Sequence, residues 1–291
     1  MDCCSIMNVD GFVAAIVRLR HKVIRKSHKR ESPQLFVYRG QSDCRHKLVS
    51  SLHRVRESLR KQGVDIADDM DQTYVPLEKR IIALADRYEA FKTDLDRMAF
   101  LQHLGAPTRL LDVSYDELVA LYFAVNGNSD VDGKVFVIGV LPEELERMSE
   151  RKFKGEDLSI DLIRFRQPKT GGAIRNNRKT PCGPCLKIIR PQTDRQKCQQ
   201  GVFYLMNDSF NDEDERVKFL RHARFDIEDA GLLVQEVLIN KKSKELIKRE
   251  LQEKFGIDEK RLMPDKDNEV SKRLREAVRR LEKRYDNQGN C

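Results

Sequence analysis

The chain has 291 residues, of which 40% are hydrophobic and 35% are charged. This composition supports a sizeable core under a densely charged surface, so it excludes wholesale disorder and favours one domain with appended helices. No apolar run reaches the roughly 18 residues of a membrane span, and the N-terminus lacks the pattern of a secretory signal, so we expect a cytoplasmic protein without membrane contact.

The first predicted element is an amphipathic helix over residues 9–27, within an N-terminal segment that we place at 1–30. Its apolar positions recur at spacings of three and four, at Phe12, Ile16, Leu19 and Val23. Ser32-Pro33 ends this pattern, and Gln34–Arg39 is predicted to form a short strand because aromatic and β-branched residues run into Gly40. The strand therefore ends on an arginine followed by a glycine.

The middle of the chain contains a helical pattern, an extended segment and a second helix. Apolar spacing predicts helical structure from Pro76 to Leu101, and Thr108–Val113 is predicted to be extended. Ser114 followed by Glu117 is a capping-box pattern that opens a helix through Ala124. That helix is apolar on nearly every side, which predicts that it is buried.

The C-terminal half adds strands and basic helices. The predicted strands are Lys134–Val140, Gly201–Met206 and Leu232–Ile239, and the chain is predicted to be helical from Lys241, with a second amphipathic piece at Val270–Leu281. Because strands and helices are mixed without regular alternation, the sequence predicts an α+β fold rather than a doubly wound sheet.

The charge and the cysteines limit the partners and the chemistry. A formal net charge of +8 favours phosphate-rich partners such as RNA or DNA, although each basic run alone is more commonly a solvated helix face. Seven cysteines at irregular spacings predict free thiols. Cys182-Gly-Pro-Cys185 has the thioredoxin redox spacing without its strand-motif-helix context, and Cys198 and His222 complete no compact zinc module, so we predict no metal site.

The Arg39-Gly40 pair has a clear possible use. A guanidinium can fork onto a phosphate, and a glycine lets a flat ligand approach the backbone closely. A surface ion pair is the alternative explanation for an arginine at this position.

A second polar segment follows the central helical pattern. His103, Thr108, Arg109 and Asp112 lie among apolar residues, so they should be partly buried and hydrogen-bonded or paired. Two readings stay open for this segment. Arg109 and Asp112 either serve a ligand or pair with each other to fix the turn, and His103 is either a general base or a hydrogen-bonded core histidine.

Several motifs occur together in an order that is typical of one family. They are Tyr38-Arg39-Gly40-Gln41, Leu48–Arg54, Gln-His-x-Gly-x-Pro-Thr-Arg-Leu-Leu-Asp from Gln102 to Asp112, Leu118–Ala124, Gln200-Gly201-x-Phe203 and Leu262–Asp265. The chain thus resembles the FRG domain family, named after its Phe-Arg-Gly triplet, over a domain that we place at 31–268, with a basic helix at 269–291 after it. Tyr38 stands where the family usually has Phe, and the other departures are packing changes at Ser50, Val113 and Met263.

The pattern is also similar to ADP-ribosyltransferases, in many of which an aromatic-Arg-Gly strand holds the nicotinamide end and phosphates of NAD. This similarity implies a mixed β-sheet core of ADP-ribosyltransferase-like type with several packed helices, and NAD as the cofactor. The catalytic candidates that it implies are Arg39, His103, Arg109, Asp112, Gln200 and Glu236, with Gln200 and Glu236 as alternatives for one position. The NAD-binding candidates are Tyr38, Arg39, Gly40, Gln41, Ser51, Arg54, Thr108 and Tyr122.

These resemblances imply a toxin or phage-defence enzyme that modifies a nucleic acid, RNA in particular, or a nucleic-acid-bound protein. A neutralising antitoxin protein is an expected partner. The alternative is a non-enzymatic module that binds nucleic acid or a nucleotide with the same arginines, and a metal-independent nuclease is a third, weaker option.

Overall fold

The computed structural model describes residues 6–26, 33, 35–52, 54, 83–84, 94–108, 110–140, 185–187, 194–205, 233–264, 272–273, 276–277 and 279–280. Most of the helix predicted before Asp94 lies outside these residues, as do Arg109 and Cys182. Within these ranges the protein has an α+β fold, as predicted, and none of the helices is long and apolar enough to cross a membrane.

The predicted elements that fall on the described residues come in the predicted order, and β4 and α4 are present in addition. The first half contains α1 (Val9–Lys26), β1 (Leu35–Gln41), α2 (Asp94–His103), β2 (Leu110–Ser114), α3 (Glu117–Val125) and β3 (Gly133–Val140). The second half contains β4 (Cys185–Lys187), α4 (Asp194–Cys198), β5 (Gly201–Leu205), β6 (Leu233–Ile239), a 3₁₀ turn (Lys241–Ser243), α5 (Lys244–Phe255) and α6 (Glu259–Leu262). Helical residues are also present at 272–273, 276–277 and 279–280.

The named strands form a single six-stranded sheet in the order β4-β5-β2-β1-β3-β6. Every pairing between these strands is antiparallel, so the prediction of a mixed sheet was wrong for the described strands. The parallel contact that is present is a single bridge between Ile6 and Ile239. Strand β1 is therefore in the middle of the sheet, and it pairs with β3 along its whole length, from Leu35 opposite Val140 to Gln41 opposite Lys134.

The two faces of the sheet carry separate hydrophobic clusters. Helices α1, α3 and α5 pack on one face, where Phe12 and Ile16 of α1 meet Tyr38 and Val137. The side chains on the other face include Val37, Val113, Phe136, Ile138 and Val202. This division follows from the period of two along a strand, which sends alternate side chains to opposite faces.

Helix α3 lies directly against the middle of the sheet. A Cβ atom on Gly40 would come within 1.8 Å of the carbonyl oxygen of Ala120, so only glycine permits this approach of strand and helix. The predicted cap at Ser114 was wrong. The N-cap is Asp116, whose carboxylate accepts hydrogen bonds from the backbone N–H groups of Leu118 and Val119, while Ser114 ends β2.

Candidate functional site

A cleft of about 170 Å³ opens over the strands that carry the polar motifs. Its lining comes from β1, β2 and β5 and from helices α2, α3 and α4. The polar lining residues are Arg39, Gln102, His103, Asp112, Ser114, Arg195, Gln196 and Gln199, and the others are Tyr38, Gly40, Val113, Val119, Ala120, Phe123, Gly201, Val202 and Phe203. Polar segments far apart in the sequence thus meet at one place.

Arg39 occupies the gap where β1 and β2 separate. The two strands pair at Tyr38 and Ser114, and beyond this point the Nη1 of Arg39 donates to the backbone carbonyl of Asp112. The same nitrogen lies 3.7 Å from the Asp112 carboxylate. Arg39 therefore replaces a strand-to-strand contact, and its guanidinium is held at the cleft.

The guanidinium of Arg39 is a charge in a largely dry position. Its side chain is 16% exposed. Burial lowers its pKa, the Asp112 carboxylate raises it, and the neighbouring Arg54 lowers it again. Because arginine begins from such a high pKa, the group stays a cation, with one of its nitrogens engaged by Asp112.

His103 ends α2 and its ring lines the same cleft. Burial lowers its pKa to about 4, against the nearby Asp112, which raises it, while Arg195 lowers it further. The imidazole is therefore neutral at pH 7. Its ring is tilted against Phe203 with the ring centres 5.9 Å apart, and Arg195 Nη1 donates to its backbone carbonyl at 2.8 Å.

The part of the chain that carries Arg39, His103 and Asp112 matches a known protein family. Residues 34–133 match the FRG domain. The chain contains an FRG domain. The match covers β1, α2, β2, α3 and the first residue of β3, and so includes Arg39, His103 and Asp112. No curated protein and no solved structure matches the chain, so the prediction of a sheet of ADP-ribosyltransferase-like type has no support from a known structure.

Two polar residues of the FRG domain hold its loops together instead of lining the cleft. Ser51 Oγ accepts a hydrogen bond from the Thr108 N–H at 2.9 Å and lies 3.2 Å from the Thr108 carbonyl, to which it donates. The Thr108 hydroxyl donates to Gln102 Oε1 and accepts from the Leu110 N–H. Ser51 and Thr108, both predicted to bind NAD, therefore fix the segment after α2 to the segment after β1.

Gln41, the last residue of β1, and Arg54, further along the chain, also make internal contacts. Arg54 is exposed and its Nη1 donates to the Val49 carbonyl at 3.1 Å. Gln41 is buried, and its Nε2 donates to the Lys47 carbonyl at 3.1 Å. Neither side chain belongs to the cleft lining, although the charge of Arg54 is felt by Arg39.

The two predicted tyrosines serve the core of the FRG domain. The Tyr38 hydroxyl accepts a hydrogen bond from Arg20 Nε, and burial raises the pKa of Tyr38 to about 12, in spite of this bond, which lowers it. Tyr122 is buried away from the cleft, and burial likewise raises its pKa to about 12. Of the pair, only Tyr38 contributes to the lining.

Gln200 and Glu236, the alternatives for the last catalytic position, both lie outside the cleft lining. Gln200 is exposed, with φ of 45°, and its Nε2 donates to Asp116 at 3.2 Å. Glu236 is an exposed residue of β6 whose carboxylate pairs with Lys134 at 3.2 Å. Its strand is separated from β1 by β3.

The sequence patterns missed the part of the cleft that α4 supplies, which lies outside the residues that match the FRG domain. Arg195 and Gln196 belong to this short helix, and Gln199 follows it. The signal in the sequence was weak, because α4 has five residues and no apolar periodicity. Among the described side chains, no group of three or more His, Cys, Asp or Glu is placed to hold a metal ion.

Proposed function

We propose that the cleft binds a phosphate-bearing nucleotide and that the protein is an NAD-dependent ADP-ribosyltransferase of toxin or phage-defence type. The observation that carries this proposal is the meeting of Arg39 and Arg195 with the neutral His103 in one cleft beside Gly40. Guanidinium groups recognise phosphates with two parallel hydrogen bonds. A buried neutral imidazole suits the uncharged part of a nucleotide.

The size of the cleft decides which part of NAD it takes. A typical small-molecule site encloses about 300–1,000 Å³, whereas this cleft encloses about 170 Å³. That volume suits one ring or sugar with an adjoining phosphate rather than a whole dinucleotide. The nicotinamide-ribose end would occupy the cleft, and the adenosine end would lie on the surface outside it.

The lining supplies the groups that transfer of ADP-ribose needs. The bond between C1′ of the ribose and the nicotinamide nitrogen breaks, nicotinamide leaves with the bonding electrons, and an oxygen or nitrogen of the acceptor bonds to C1′ and loses its proton. Asp112 is the one carboxylate among the described lining residues, and its side chain is 49% exposed, so it can stabilise positive charge at the reacting sugar. Arg39 would hold the phosphate.

The acceptor is proposed from the charge of the whole chain. A net charge of +8 favours a nucleic acid, RNA in particular, or a protein bound to it. A toxin of this kind would act in the cytoplasm and would have an antitoxin protein as its neutralising partner.

The transferase activity can be tested with NAD that carries its label in the adenylate part. We expect nicotinamide release and transfer of label to RNA, DNA or a protein of a cell extract, and a loss of at least about 100-fold in Arg39→Gln. Arg18→Gln, on the exposed side of α1, is the matched control and should keep full activity. Absence of nicotinamide release in every mixture would contradict the proposal, as would a folded Arg39→Gln variant with full activity.

A second candidate is a binding module without catalysis. The positions of Gln200 and Glu236 favour it, since neither contributes to the cleft and no carboxylate of the last strand lines it. Binding of RNA that weakens steeply with added salt, together with intact NAD after long incubation, would support this candidate over the transferase.

A further inference from the structure

The imidazole of His103 has a ring nitrogen that the fold does not use. Its Nε2 is buried and has no hydrogen-bond partner in the part of the chain that the structure describes. Leaving a buried polar atom unpaired costs about 1–3 kcal/mol, so such atoms need an explanation. Thr108, five residues later, shows the usual outcome, since its hydroxyl both donates and accepts.

The ring is held in place without help from this nitrogen. Its backbone is fixed at the end of α2, where the His103 carbonyl accepts a hydrogen bond from Arg195, and the ring is tilted by 51° against the ring of Phe203. A side chain that is oriented by its surroundings and lines a cleft is prepared to meet a ligand. The His103 side chain also lines the cleft, so a ligand bound there is a candidate partner for this nitrogen.

The chemistry of the nitrogen limits the group that can meet it. A neutral imidazole has one donor nitrogen and one acceptor nitrogen, and a hydroxyl can pair with either of them because it both donates and accepts. Two arginines, Arg39 and Arg195, line the same cleft, and guanidinium groups are suited to a phosphate. A sugar hydroxyl close to a phosphate satisfies both kinds of group at once.

We propose that His103 Nε2 hydrogen-bonds a ribose hydroxyl of the ligand and makes the cleft selective for ribose over deoxyribose. This inference rests on the proposed nucleotide-binding role of the cleft. It assigns His103 to substrate selectivity, as a third possibility beside the general base and the core histidine.

The test is a cycle of protein and ligand variants, measured by titration calorimetry on the full chain. The ligands are NAD and two analogues that lack either the 2′ or the 3′ hydroxyl of the nicotinamide ribose. We expect the wild type to bind one analogue about tenfold more weakly than NAD, which is the effect of one hydrogen bond. His103→Phe should bind NAD about tenfold more weakly and show no further loss with that analogue.

Two variants separate this role from a loss of packing. His103→Gln keeps a hydrogen-bonding group and should recover the preference for the hydroxyl, while His103→Leu replaces the phenylalanine variant if that variant melts early. Arg18→Gln should discriminate between the ligands as the wild type does.

The outcomes distinguish this inference from the proposed function. Equal binding of NAD and both analogues by the wild type overturns the inference, and so does unchanged discrimination in a folded His103→Phe or His103→Leu variant. If the wild type does not bind NAD at all, the proposed function and the inference fail together. If the hydroxyl effect is present but nicotinamide is never released, the transferase activity fails and the inference stands.

Discussion

His103 links the stability of the protein to pH. Its pKa is about 4 in the folded protein, against an ordinary value of 6.5. Between these values the unfolded chain binds more protons than the folded chain, so the free energy of unfolding falls as the pH drops through this window. A shift of this size corresponds to about 3 kcal/mol, which is present above pH 6.5 and lost towards pH 4.

Urea denaturation at several pH values between 7.5 and 4.5 measures this effect. Other groups titrate in the same range, so the quantity to compare is the difference between the wild type and His103→Phe, which should have a flatter profile. His21→Phe, on an exposed position of α1, is the control and should keep the wild-type slope. Parallel profiles for the wild type and His103→Phe would show that the buried imidazole does not have this role.

Gly40 and Gly201 both line the cleft, but they should respond differently to a methyl group. In Gly40→Ala the new Cβ would meet the Ala120 carbonyl at 1.8 Å, so α3 must move and we expect a loss of about 1–3 kcal/mol. In Gly201→Ala the nearest atom is 3.5 Å away, which is an ordinary contact, so the loss should be much smaller. Thermal melting of the pair checks this, and similar melting temperatures would contradict the close approach of α3.

Sequence reasoning identified some of the residues that line the cleft. It did not identify the bonding partner of each side chain. Of the residues named as candidates, Arg39, His103 and Asp112 line one cleft, whereas Gln200 and Glu236 lie outside it. Ser51 and Thr108 looked equally suited to a ligand, yet they bond to each other's segments. The sequence shows that a hydroxyl group is present. Its hydrogen-bond partner depends on which chain segments lie next to it, and the fold determines that.

Besides its apolar packing on the sheet, helix α1 makes polar contacts through the guanidinium of Arg20. Arg20 donates from Nε to the Tyr38 hydroxyl and from Nη2 to Glu117 at the start of α3, and its charge lies 5.3 Å from the centre of the Tyr38 ring. This fork needs two donors in fixed directions, which lysine does not have. Arg20 therefore joins three elements, two of which line the cleft.

We expect Arg20→Lys and Arg20→Met to lower the free energy of unfolding by similar amounts, about 1–3 kcal/mol, because both lose the fork. The neighbouring Arg18 is exposed, so Arg18→Met should change it by less than about 0.5 kcal/mol. Urea denaturation of the variants provides the comparison. Full stability in Arg20→Lys would show that charge alone, without the fork, holds the helix.

The longer elements were predicted well because their patterns are strong. Helix α1 and strand β3 differ from their predicted bounds by a residue at most. Strand β4 and helix α4 were missed, since three and five residues are too few to show a period. The cap of α3 moved to Asp116 because both Ser114 and Asp116 are good capping residues, and β2 runs on through Ser114.

At the scale of the whole molecule, the family match and the folding unit differ in extent. The match ends at residue 133, yet β3 continues to Val140 and pairs with β6, and β2 pairs with β5. Arg195 and His103 meet across the same boundary. The direction of strands was not predictable from local patterns, because it depends on which distant strands become neighbours.

A fragment of residues 34–133 should therefore fail to fold by itself. It would keep α3 but lack β5, β6, nearly all of β3, and helices α1 and α5, which pack on the same sheet face as α3. Circular dichroism and amide dispersion in NMR spectra, compared with those of the full chain, provide the measurement. A cooperative thermal transition of the fragment would contradict this expectation.

The interior position of β1 also restricts how the cleft can widen. Strand β1 cannot slide without breaking its ladder with β3 and its pairing with β2, and a Cβ on Gly40 would clash with α3. The floor of the cleft is therefore rigid. A bulkier ligand could enter only if the short helices α2 and α4 moved. Exchange of backbone amide protons should accordingly be slow in β1 and faster in α4.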